Sequence, residues 1–203
     1  MDTHIAFPAY SGLRCLMMPY IQGEPESVPR EYEAYRGILR DVFLSRGDIG
    51  YLTIDESMAT AGRPHRGERA KHGRAIHTEA GKRPFGLYGW GGSGWGDSTN
   101  VLLDRDVEIL LANSIDWSCA VWDATHEDTS WDGDIGHAAG MYPYETATLM
   151  RAGEVRKIGI LTPHESLPVY CDIRRQFLRI VGSGVHGREE YFTVNPIMPG
   201  VVE

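Results

Sequence analysis

Three shortages narrow the possibilities before any motif is read. The chain of 203 residues has three cysteines, Cys15, Cys119 and Cys171. They are odd in number and widely spaced, which suits neither a disulfide framework nor a Cys-x-x-Cys zinc site. The expectation is reduced thiols in a cytoplasmic protein. Positive charge is also scarce: 20 Lys and Arg face 28 Asp and Glu, for a net charge of −8. A surface that coats nucleic acid needs clustered cations. The one basic run, Arg63 to Arg74, is short and carries Glu68, so no nucleic-acid partner is expected. Long apolar runs are missing as well. None approaches the roughly 18 residues of a membrane span, and the first residues have neither a basic nor an apolar leader pattern, so no membrane partner is expected. There is no Gly-x-Ser-x-Gly elbow, and Gly89–Gly94 lacks the Gly-Lys-Ser/Thr end of a phosphate loop. Hydrolase and nucleoside-triphosphatase readings fall away.

What is present is turn-rich and strand-like. Twenty-four glycines and eleven prolines, with 42% hydrophobic residues, suit many strands joined by turns in a single domain over residues 1–203. Residues 1–48 would supply an N-terminal strand and a packing helix, and 49–203 the core. The helix is predicted over Pro29–Arg46, where Val28, Tyr32, Tyr35, Leu39, Val42 and Phe43 keep the 3–4 spacing of a stripe packed on one side. Ser27 would cap it, Pro29 would suit its first turn and Gly47 its end. Strands are predicted at Arg14–Tyr20, Gly50–Ile54, Arg74–Glu79, Thr99–Leu103, Val107–Ser114, Ser118–Ala124, Val155–Thr162 and Arg175–Gly182, each bounded by turn formers. About eight short strands with little helix suggest an antiparallel sandwich or barrel.

The chemistry-bearing pattern is His77-Thr-Glu79, then His164 in Thr-Pro-His-Glu-Ser-Leu-Pro, then Arg175 eleven residues further on. On a strand, His77 and Glu79 point the same way, roughly 7 Å apart. Two imidazoles and one carboxylate are the set that holds a non-haem Fe(II) and leaves positions open. Arg175 offers a fork for a carboxylate, and Arg179 shares its strand face.

The order and spacing of these residues resemble the Fe(II)/2-oxoglutarate-dependent oxygenases. The likeness covers roughly Ile76 to Val181 and is best from Thr162 to Ile180. It implies a mainly β fold, a double-stranded β-helix (jelly roll, cupin-like) with an N-terminal flanking helix. It also implies Fe(II) bound by the catalytic residues His77, Glu79 and His164, and 2-oxoglutarate gripped at its far carboxylate by Arg175. Arg179 matches the second arginine of the taurine-dioxygenase-like and clavaminate-synthase-like branches. O2 and a small amino-acid-like or carboxylate-bearing substrate would complete the reaction, most simply a hydroxylation. The carboxylate is Glu79 where most members have Asp.

Two rivals remain. One is a cupin-type metal dioxygenase or isomerase that needs no 2-oxoglutarate and hence no Arg175. The other is a β-sandwich binding module in which Trp90, Trp95, Trp117, Trp122 and Trp131 stack on a ligand. Arg74, Arg83 and Arg179 near the motif suggest an anionic substrate. His65 and His72, among cations, read as surface or substrate-facing. The acidic stretch Thr125–Pro143 reads as a solvated loop, and Gly86–Ser98, with Trp90 and Trp95, as a lid.

Overall fold

The computed structural model describes residues 3–65, 73–91, 100–198 and 200. Among them the chain is mainly β, with thirteen strands: β1 Thr3–His4, β2 Arg14–Ile21, β3 Ile49–Ala59, β4 Ala80–Lys82, β5 Tyr88–Trp90, β6 Leu102–Leu103, β7 Glu108–Asn113, β8 Cys119–Val121, β9 Thr148–Leu149, β10 Glu154–Gly159, β11 His164–Ser166, β12 Ile173–Val181 and β13 Val185–His186. All pairings between these strands are antiparallel. Three sheets result, ordered β1-β10-β7-β12-β3-β2, β11-β8-β9 and β13-β6-β5-β4, and none of them closes into a barrel. From β7 onward the chain crosses back and forth: β7 in the large sheet, β8 and β9 in the three-stranded one, β10 in the large, β11 in the three-stranded, β12 in the large.

Period-two alternation gives the central strands two different jobs. Leu52, Ile54, Leu178, Ile180 and Ala112 form one face of the large sheet. They pack against Val28, Tyr32, Tyr35, Leu39 and Val42, each buried apolar side chain contributing about 1.5–3 kcal/mol. The opposite face begins apolar, with Tyr51, Val181, Ile109 and Leu111 packed on Tyr88, Trp90, Val101 and Leu103. It then turns polar along the strands, where Thr53 faces Arg179, Asp55 faces Phe177 and Ser57 faces Arg175 in register.

The helical stripe packs as expected, but the helix is shorter. It runs as a 3-10 segment Arg30–Tyr35 followed by an α-helix Arg36–Asp41, with Val42 already extended at φ −114° and ψ 107°. The kink falls at Tyr32 (φ −103°, ψ 15°), and Val42 and Phe43 are β-favouring residues that a short helix does not retain. Ser27 caps nothing; its hydroxyl bonds to Glu24 and Ile21.

The strand expected at Arg74–Glu79 does not form. The segment is extended, but its backbone partners differ at nearly every step. His77 exchanges both bonds with His164, Thr78 N–H donates to Gly133, Ile135 N–H donates to Ile76, and Ala80 N–H donates to Ile160. Satisfied groups without a single neighbour make a bridge instead of a ladder. Elsewhere β3 and β12 start or run beyond their expected bounds, while β7, β8 and β10 are shorter; of Thr99–Leu103 only Leu102–Leu103 pairs, and Thr99 lies outside the described residues. Among the described residues no helix is long and apolar enough to cross a membrane.

One buried carboxylate ties the N-terminal segment to this framework. Glu56 Oε2 accepts the N–H groups of Ser11, Gly12 and Leu13 at 2.6, 2.6 and 3.1 Å. Its Oε1 accepts from Tyr35 Oη at 2.7 Å and Gln176 Nε2 at 2.9 Å. Burial alone would raise this carboxyl; the donors from Tyr35, Ser11, Gln176 and Leu13 outweigh burial and hold it at about 2, against an ordinary 4.5. The fold favours the ionised form, so its contribution is complete above pH 4.5 and disappears as pH falls from there through 2. Glu56→Gln is expected to cost about 1–3 kcal/mol at pH 7 and much less at pH 2. Urea unfolding at both values checks it, and equal losses at the two would contradict the assignment.

Candidate functional site

The backbone exchange between His77 and His164, at 2.9 Å in each direction, brings their rings together with centroids 4.2 Å apart. Each ring is tethered to the carbonyl two residues before it: His77 Nδ1 to Ala75 O at 2.8 Å and His164 Nδ1 to Thr162 O at 2.9 Å. A carbonyl only accepts, so Nδ1 carries a proton, which makes Nε2 the lone-pair nitrogen of the neutral ring. His164 Nε2 lies 3.6 Å from Glu79 Oε1.

Glu79 is held from the large sheet. Arg179 Nη1 donates to both of its oxygens, at 3.0 and 2.9 Å. This guanidinium is fully buried, lies 4.4 Å over the Trp90 ring, and reaches Thr53 Oγ1 at 3.4 Å. Arg179 is therefore occupied by the acid of the expected ligand set and is not presented to a cosubstrate.

His77, Glu79 and His164 open on a cleft shared with Arg175, Phe177, Leu111, Asp55, His65, Cys119 and Ser166. Arg175 is buried, with 5% of its surface exposed. Its guanidinium rests on the Phe177 ring at 4.9 Å, and among the described residues no carboxylate comes within ion-pair distance of it and no hydrogen bond leaves it. Burial pulls its pKa below the ordinary arginine value, yet a guanidinium stays charged. Asp55 meets His65 Nε2 at 2.9 Å and Arg14 Nε at 3.0 Å. Burial would raise its carboxyl, but the His65 hydrogen bond and charge, with Arg14 and Arg175, hold it below the usual range. The open volume is only about 30 Å³, room for an ion with one or two waters. A larger occupant needs the surrounding side chains to shift.

The donor types fit a divalent transition metal: two imidazoles, each fixed through Nδ1, and a carboxylate braced by a cation, as outer-shell support requires. Among the described residues no three His, Cys, Asp or Glu side chains are gathered at metal-holding geometry. Both oxygens of Glu79 are drawn to Arg179.

Other expectations divide. Trp90 is a core residue of β5, fully buried, so it cannot serve in a lid; Trp95 and residues 92–99 lie outside the described residues, as does His72. Trp122 is also buried, which leaves the stacking module only Trp117 and Trp131 among the described tryptophans, and Trp131 is covered by Arg83 at 4.3 Å. The three arginines that suggested an anionic substrate are engaged elsewhere: Arg74 with Glu165 at 2.7 Å, Arg83 with the Trp131 carbonyl and Arg179 with Glu79. That argument for substrate charge therefore fails. In the acidic stretch, His126 Nδ1 bonds Tyr142 Oη at 2.7 Å, and Asp134 forms a bridge with His77, so this loop packs behind the site.

Asp55, Cys119, Ser166 and Phe177 were missed as cleft residues. A signal existed for Asp55: in Tyr51-Leu-Thr-Ile-Asp-Glu the polar residues Thr53 and Asp55 alternate with apolar ones, which marks a polar stripe on an inward face. No family model, no curated protein and no solved structure matches the chain. The site therefore speaks through its geometry alone.

Removing one partner of a buried ion pair strands the other charge. Arg179→Met is expected to cost about 3–5 kcal/mol, and Arg179→Met with Glu79→Leu to recover much of that loss. Denaturant midpoints of the two variants check this; a double variant less stable than the single one would show that the pair is not the binding element.

Proposed function

We propose that the chain is an Fe(II)/2-oxoglutarate-dependent oxygenase built on a jelly-roll core and acting on a small molecule. The observation that carries the reading is Arg175: a buried guanidinium with no carboxylate partner among the described residues, in the same cleft as two imidazoles held through Nδ1 and a carboxylate. A buried charge without a partner is costly, and a ligand carboxylate would supply one in bidentate form. The crossing of successive strands between the large and the three-stranded sheet supports the jelly-roll reading, with His77 and His164 paired at the edge of the smaller sheet and Arg175 on the larger.

In this reading His77 and His164 offer Nε2 to Fe(II) and Glu79 offers an oxygen, its orientation set by Arg179. Arg175 binds the far carboxylate of 2-oxoglutarate, while Phe177 and Leu111 keep water from the cosubstrate. When bound, the metal with O2 supplies the oxidising power, coupling decarboxylation of the keto-acid to oxidation of the substrate. The expected second cosubstrate arginine, Arg179, becomes a positioning residue for Glu79. A cupin-type enzyme without 2-oxoglutarate would have the metal ligands but no use for an unpaired Arg175.

Anaerobic titration with Fe(II) and then 2-oxoglutarate tests both cofactors. A weak charge-transfer band in the green is expected only when both are present; Fe(II) binding with no change on adding 2-oxoglutarate would favour the cupin reading. His77→Ala and His164→Ala should each abolish Fe(II) binding while circular dichroism stays unchanged. Arg175→Lys keeps the charge but loses the fork. It should leave Fe(II) affinity intact and raise the KM for 2-oxoglutarate about tenfold or more; an unchanged KM would remove Arg175 from this role.

A further inference from the structure

Behind the cleft lies a second ion pair that the oxygenase reading does not use. On β11, His164 and Ser166 line the cleft, and Glu165 between them points to the reverse side of the strand. Glu165 is buried. Its Oε2 accepts from Arg74 Nη2 at 2.7 Å, Arg74 Nε at 3.0 Å and Tyr144 Oη at 3.1 Å; its Oε1 accepts the Ala75 N–H at 3.1 Å. Arg74 is fixed in turn. Its Nη1 donates to the carbonyls of Ala139 and Tyr142 at 3.1 and 2.8 Å, and its guanidinium lies 4.3 Å from the centre of the Tyr144 ring.

The bridge between His77 and His164 is isolated. In a regular antiparallel ladder the next reciprocal pair would be Ala75 with Ser166. The Ala75 N–H goes instead to the Glu165 side chain, which stands in for the missing ladder bond. The turn at 133–135 holds Ile76 and Thr78 from the opposite edge, so on the β11 side this segment is attached at His164 and at Glu165. We propose that Glu165 is a positioning residue for the imidazole pair: by holding Arg74 and Ala75 against β11, it stops the segment swivelling about the bridge and keeps the two rings at one separation. It acts through Ala75 and lies outside the cleft. Its hold on the rings stands on these contacts alone; its consequence, tighter Fe(II) binding, rests on the oxygenase reading. Losing an outer partner of a ligating histidine weakens metal binding about 10–100-fold.

Glu165→Gln keeps the size but turns an amide NH2 toward a donor, because a carboxylate only accepts and an amide does not. Tyr144→Phe removes a donor from the same carboxylate and leaves the Ala75 bond in place. Both variants should melt at lower temperature than the wild type. Only Glu165→Gln should weaken Fe(II) about tenfold or more in an anaerobic titration. In the metal-free protein it alone should weaken the NOE between the His77 and His164 rings, whose centroids are 4.2 Å apart. A merely structural role would make affinity follow melting temperature alike in both. Where the wild type binds Fe(II), unchanged affinity in Glu165→Gln overturns the proposal. A wild type that binds no Fe(II) sinks the oxygenase reading instead, and the NOE then decides: its loss in Glu165→Gln upholds the positioning role, and its retention ends it. Hydrogen exchange in the wild type needs no variant to fold. The Ala75 amide should be protected like that of His77; an Ala75 amide exchanging freely beside a protected His77 overturns the proposal.

Discussion

The pairing of Arg179 with Glu79 is the contact on which the site depends. Residues 74–79 belong to no ladder; their backbone bonds go to a loop at 133–135, to His164 and to Gly91. A segment held by scattered partners has no intrinsic register, and its carboxylate could face several ways. Arg179 sits on β12, which is paired on both sides there, with Thr53 of β3 and Leu111 of β7. Closing both Glu79 oxygens onto one of its nitrogens transfers that rigidity to the segment. Burying two charges costs several kcal/mol each before their attraction offsets it. The pair is better understood as a device for geometry than as a source of stability, with Trp90 beneath the guanidinium and Thr53 beside it completing the seat.

The same strand carries two unrelated tasks on its two faces. Gln176, Leu178 and Ile180 look toward the helical segment, where Gln176 joins the Glu56 network and the leucine and isoleucine join its apolar layer. Arg175, Phe177 and Arg179 look toward the cleft. A slip of one residue would exchange these sets and place two guanidiniums against Tyr35 and Leu39. The register is pinned from both ends, by Glu56 meeting Gln176 on one side and by Glu79 meeting Arg179 on the other. Structural and chemical demands thus enforce a single alignment of β12 on β3.

The parts of this arrangement visible in the sequence are those encoded by short periods. The 3–4 stripe from Val28 to Val42 located a buried helical surface, and short apolar or β-branched runs between turn formers located β2, β3 and β12. The pairing of His77 with His164 lay outside any local pattern, yet the residue types alone marked both. What could not be read is whatever depends on distant partners. Arg179 and Glu79 are a hundred residues apart, and only the fold shows that this arginine answers the acid and Arg175 does not. Trp90 looked like part of a glycine-rich loop because glycines surround it; in the structure Gly89 and Gly91 permit close approach, with Arg83 and the Asp132 carbonyl occupying the space a side chain would need. The helix ended early because Val42 and Phe43 carry the right periodicity and the wrong backbone preference. Apolar spacing reported burial faithfully and secondary structure less so.

The two imidazoles are aimed by means that never leave their own neighbourhood. Each ring borrows the carbonyl two positions earlier, Ala75 for His77 and Thr162 for His164, so its bearing is written within a tripeptide. Their spacing is set separately, by the reciprocal amide bonds between the two residues. Direction is local and separation is shared. Within the long connection between them, the turn at 133–135 braces Ile76 and Thr78 on either side of His77. Such a division allows the rest of that connection to lengthen, shorten or change composition in descendants of this chain, reshaping what the cleft admits while the pair of nitrogens at its floor keeps the same aim.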